Sequence, residues 1–120
     1  MKLVICEKPS VGAAVAAALG VTGRKDGYIE GNGYLISWCI GHLVQLTEAA
    51  AYGEQYKKWS YDSLPILPQE WQYTVAANKG KQFKILKDLM HSADVSEVVN
   101  ACDAGREGEL IFRFVYHQAG

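Results

Sequence analysis

The sequence predicts an α/β domain with a mostly parallel central sheet flanked by helices and a β-hairpin insertion. Three observations carry this reading. Short apolar, β-branched runs alternate with stretches of helical character along the 120 residues. A hydrophobic fraction of 49% can fill a core at a length usual for one domain, so one compact unit over 1–120 is expected. The first and last predicted strands each run straight into a tight loop that opens a helix, which is where open α/β sheets place their sites.

The elements follow in order. "KLVIC" (2–6) is a short apolar run and reads as a buried strand. "EKPS" interrupts it, because Pro9 cannot continue a ladder, and Ser10 is suited to cap a helix. "VGAAVAAAL" (11–19) favours helix through its alanines, and Gly20 ends it. "GYIEGNGYLISWCIG" (27–41) reads as a hairpin turning at "GNG" and is expected as a decoration on the sheet. A short helix is expected somewhere in 47–56, and the two prolines of "LPILPQEW" predict an extended connection. "QYTVA" (72–76) is a strand candidate. Phe83, Leu86, Leu89 and Met90 have helical spacing and predict an amphipathic helix with lysines in water. "SEVVNAC" predicts a strand and "GELIFRFVYHQ" a helix.

Composition narrows the function. A net charge of −1 and a pI near 6.3 leave no basic footprint, so strong nucleic-acid binding by this chain alone is not expected. Three cysteines without C-x-x-C spacing argue against a disulfide framework and against a structural zinc site. Cys6 and Cys102 each end an apolar run and read as buried thiols of a reducing, cytoplasmic compartment. The N-terminal apolar run is too short for a signal peptide, and no stretch reaches the ~20 residues of a membrane span. The last residues break off just after a periodic segment, which reads as one domain of a longer enzyme.

"NACDAGREGEL" (100–110) holds the chemistry. Asp103, Glu107 and Glu109 crowd with Arg106 at a strand–helix junction, and Glu7 ends the first strand. If those strands are neighbours, Glu7, Asp103 and Glu107 converge. Grouped carboxylates repel unless a cation joins them, and hard oxygen ligands favour Mg²⁺. A carboxyl pushed up by its neighbours could serve as a general acid. Lys8 and Arg106 would face phosphates. The competing reading is structural: acids complement the dipole of a helix's first turn, and Asp103 can be an N-cap.

"LVICEKPSVGAAVAAALG" together with "ACDAGREGELIFR" resembles the TOPRIM domain, a Rossmann-like fold, at the N-terminus of type IA DNA topoisomerases, most closely the bacterial topoisomerase III branch. "LISWCIGHLVQL" and "LPILPQEWQYTV" are similar to further blocks of that family. The resemblance implies single-strand DNA cleavage and religation through a tyrosine in another domain. It implies that Glu7 protonates the leaving 3′ oxygen, that Lys8 contacts the phosphate, and that Arg106 belongs to the catalytic group. It implies Mg²⁺ on Glu7, Asp103 and Glu107, with Glu109 continuing the motif and His42 at a Gly-His-Leu position. The family's middle acid is replaced by Gly105, which removes one oxygen ligand. The implied partners are single-stranded DNA and the remaining domains of the same chain, with no membrane and no obligate protein partner. This chain alone is expected to be inactive, and the family's domain continues with another strand.

The rival readings are a TOPRIM primase, an OLD-type nuclease, and a non-enzymatic module whose acids only cap helices. Plain structural roles are expected for His42, His91 and His117. Lys79, Lys81, Lys84 and Lys87 read as a solvated helix face. Trp38, Trp59 and Trp71 read as packing, and Arg106 could pair with Glu109 or Asp103.

Overall fold

A computed structural model describes residues 1–58, 60–62 and 64–120, so the expectation for Trp59 lies outside the described residues. Strand β1 (Lys2–Cys6) leads to helix α1 (Pro9–Leu19) and then to β2 (Gly23–Lys25), β3 (Tyr28–Gly31) and β4 (Tyr34–Trp38). β5 (Val44–Leu46) and β6 (Tyr73–Val75) follow, then α2 (Gly80–Met90), β7 (Glu97–Ala101) and α3 (Arg106–Ala119).

The main sheet has the order β2-β3-β4-β1-β7. β1 lies between β4 and β7 and is parallel to both, with Cys6 level with Trp38 on one side and Ala101 on the other. The carboxyl ends of these three strands therefore open at one edge of the sheet. From Leu3 to Cys6 β1 is apolar and buried, because both of its faces are covered. Leu3 and Ile5 join a core with Leu35, Leu86, Ile111, Phe112 and Val115, while Val4 and Cys6 join a second core with Ala16, Val21, Ile29 and Ile36.

The expected hairpin is present, with Asn32 and Gly33 at φ 50° and 81° forming the tight turn between antiparallel β3 and β4. It is built into the sheet: β4 is the parallel neighbour of β1, and the hairpin is continued by β2, a strand too short to stand out in the sequence. Gly20 closes α1 in the left-handed conformation, at φ 70°. Ser10, however, lies inside the helix. The N-cap is Lys8, with Pro9 in the first turn and no side-chain cap. The Lys8 carbonyl instead accepts from the Val11 and Gly12 amides.

The expected helix within 47–56 is resolved as two short 3₁₀ turns, Ala49–Tyr52 and Glu54–Tyr56, parted by Gly53. β6 pairs antiparallel with β5 in a separate two-stranded sheet. The molecule is elongated, measuring 57 × 27 × 23 Å, and its radius of gyration of 17.0 Å exceeds the ~14 Å of a compact domain this long.

Candidate functional site

Glu7 follows the last residue of β1, and Asp103 follows the end of β7 by two residues. Since the two strands are paired in parallel, both carboxylates come to the same sheet edge. They lie within hydrogen-bond reach of each other. That bond to Asp103 raises the Glu7 pKa above the ordinary carboxylate range, as do partial burial and the charges of Asp103 and Glu107, while Lys8 opposes the shift. Lys8, at the head of α1, is exposed beside Glu7, and Arg106 is exposed at the first position of α3.

The start of α3 is shaped by its glycines. Gly108 is buried, and a side chain there would run into the backbone of Asp103, so only glycine lets the helix come this close to the carboxylate loop. Gly105 differs. Its backbone is extended, at φ −169°, and a Cβ on it would meet nothing within 4 Å. The chain does not need glycine there for its turn, and the space beside Asp103 is open. Gly105 is also the N-cap of α3 and makes no side-chain cap, so Asp103 does not cap this helix.

Two further acids have partners. Glu107 meets the imidazole Nε2 of His42 through its Oε1. Glu109 accepts from Arg113 Nε at 2.7 Å, one helical turn on, and from Asn100 Nδ2 of β7 at 2.9 Å. Arg106 makes no ion pair among the described residues. Its expected alternatives, pairing with Glu109 or Asp103, are not realised.

A family model described as the Toprim domain matches residues 2–120. The chain belongs to the Toprim family. It is 46% identical over 118 residues to a DNA topoisomerase 3 of Shouchella clausii, covering 98% of this chain and 16% of that protein. It is 42% identical over 118 residues to a DNA topoisomerase 3 of Staphylococcus epidermidis, covering 98% and 17%. A DNA topoisomerase 3 of Bacillus thuringiensis is 43% identical over 113 residues, covering 94% and 16%. The chain spans about one sixth of the length of these curated relatives.

In this Toprim domain the residues singled out in the sequence are partly assembled. Glu7 and Asp103 are together, with Lys8 alongside and Glu107 near enough to act on Glu7 through its charge. Glu107 is held by His42, and among the described residues no three His, Cys, Asp or Glu side chains form a ready-made metal shell. The donor set still suits a hard cation. Two carboxylates in mutual reach need a proton or a cation between them, and the open side at Gly105 leaves room for the waters that Mg²⁺ retains.

The role of His42 was not readable from the sequence, because it depends on a partner 65 residues away. The cysteines were likewise scattered in sequence and meet in space. Cys102 donates from Sγ to the Ile5 carbonyl at 3.8 Å, and its interaction with the neighbouring Cys39 raises the Cys39 pKa and lowers its own. Burial, aided by Cys102, pushes the Cys6 thiol up to about 11. Cys6 is buried as expected, whereas Cys102 is only half-buried at the end of β7. Trp38 packs over Gly12 of α1, where a Cβ would lie 2.7 Å from its Cε3, and Trp71 is 53% exposed with its ring edge-on to Tyr52.

Proposed function

We propose that this Toprim domain supplies the acidic, Mg²⁺-binding half of the active site of a type IA DNA topoisomerase of the topoisomerase 3 kind. The observation that carries the reading is the Glu7–Asp103 pair at the ends of two parallel strands. The similarity to proteins named DNA topoisomerase 3 supports the reaction class. It also favours this reading over a primase, a nuclease or a non-enzymatic module.

Glu7, Asp103 and Glu107 are the residues that would hold Mg²⁺. Once bound, the ion would neutralise their charge and that of a neighbouring DNA phosphate. When it is not engaged by the ion, Glu7 holds a proton more tightly than an isolated carboxyl, which suits it to deliver that proton to a leaving 3′ oxygen. Lys8 offers a cation beside Glu7, and Arg106, which makes no ion pair among the described residues, would meet a phosphate from the head of α3. Single-stranded DNA is the substrate, and the nucleophilic tyrosine comes from another domain of the same longer chain. No obligate protein partner is required, and the setting is the bacterial cytoplasm. Among the described residues no helix is long and apolar enough to cross a membrane.

The test is a chimaera in which this chain replaces the matching 118 residues of the Shouchella clausii relative. The chimaera should relax negatively supercoiled plasmid with Mg²⁺, its Glu7→Gln variant should lose relaxation by at least ~100-fold, and this chain alone should relax nothing. A folded chimaera that is inactive, or an unimpaired Glu7→Gln variant, overturns the proposal.

A further inference from the structure

The lysines of α2 were expected to form one solvated face, and the structure separates Lys79 from the rest. Lys81 pairs with Asp26 at 3.1 Å on the surface. Lys79 is half-buried, and its Nζ turns inward to donate to the carbonyls of Ile40 at 2.8 Å and His42 at 3.2 Å. Its position is unfavourable for the helix itself. Lys79 is the N-cap of α2, which has no side-chain cap, and an ammonium there faces the positive end of the dipole.

What the ammonium holds is the loop that leaves β4. The two carbonyls flank Gly41, whose φ is +60° and on which a Cβ would meet nothing within 4 Å. The loop ends at His42, whose Nε2 meets Glu107 and whose ring lies 6.4 Å from that of Phe114 on α3. A continuous chain of contacts thus runs from α2 through Lys79, the 40–42 backbone and His42 to the carboxylate of Glu107.

We infer that Lys79 is a positioning residue for the carboxylate site: it fixes the loop that sets His42 against Glu107. The inference rests on the Mg²⁺-site reading for its consequence, since Glu107 is one of the three proposed ligands. The juxtaposition itself can be tested without metal.

The experiment uses the isotope-labelled chain with Lys79→Met, Lys79→Arg and His42→Ala. The ring resonances of His42 and the carboxyl carbon of Glu107 are read first without metal and then through a MgCl₂ titration. Lys79→Met should move the His42 ring signals and bring the Glu107 carboxyl to its position in His42→Ala. It should weaken the Mg²⁺ response at Glu107 by about tenfold, and Lys79→Arg should restore both. Adding His42→Ala to Lys79→Met should change Glu107 no further. Unmoved His42 and Glu107 signals in Lys79→Met overturn the inference. If the Met variant unfolds, Lys79→Gln carries the same readout. If the unsubstituted chain shows no Mg²⁺ response at Glu7, Asp103 or Glu107, the metal reading fails, and the metal-free signals decide the role of Lys79 alone.

Discussion

Glu7 and Asp103 repel each other when both are ionised, and a proton or a cation between them relieves that repulsion. A pH dependence follows. The native state holds the Glu7 proton more tightly than the unfolded chain does, where the pKa is ~4.3. The pair's stabilisation is therefore fully present below that value and is lost as pH rises through the raised one. Without Mg²⁺, Asp103→Asn should gain melting temperature relative to the unsubstituted chain as pH rises across this window, and the stabilisation by Mg²⁺ should grow over the same range. Parallel melting curves of the two proteins check both. The glycines give a second contrast at this scale. Gly108→Ala should cost roughly 1–3 kcal/mol in denaturant unfolding, because the Asp103 backbone must yield. Gly105→Asp meets open space, should fold normally, and should strengthen the response to Mg²⁺. The places of Glu7, Asp103 and Arg106 were legible in the sequence, since each sits where an apolar run meets a helix. The engagement of Glu107 by His42 was not, because it needs the loop after β4 to reach the head of α3. The Glu109–Arg113 pair had readable spacing, four residues apart on one helix, yet Arg106 competed for the same partner on paper.

The arrangement of elements rests on β1. Its continuous apolar run was enough to place it inside the sheet, and the hairpin was legible from "GNG". That β4 lies parallel to β1 was not, because the hairpin's local pairing says nothing about what its second strand does on its other edge. β2 and β5 have three residues each, too few for a periodicity to register. Helix α2 was predicted from its apolar stripe, but its most consequential inward residue is polar. Gln82 is buried at 8% exposure and donates from Nε2 to the Trp38 carbonyl at 2.8 Å, the Gly27 carbonyl at 3.2 Å and Ser37 Oγ at 3.2 Å. It ties α2 to the end of β4, just before the loop that carries His42. Gln82→Met keeps the volume and removes the donors, so it should cost about 1–3 kcal/mol in urea unfolding. The amide shifts it causes should concentrate at residues 27 and 37–42.

At the scale of the molecule, the parallel ends of β4, β1 and β7 gather the chemistry at one edge of an elongated chain whose long axis measures 57 Å. A compact domain was expected from length and composition. That β5 and β6 pair with each other apart from the main sheet also escaped that reading. The central claim is that the strand-end carboxylates form a Mg²⁺ site, and an amide NMR titration of this chain with MgCl₂ tests it most directly, with Asp103→Asn as control. The account predicts saturable shifts at millimolar Mg²⁺ that concentrate at Glu7, Lys8 and 103–107 and vanish in the control. Shifts spread evenly over the acidic surface, or identical in Asp103→Asn, would contradict it.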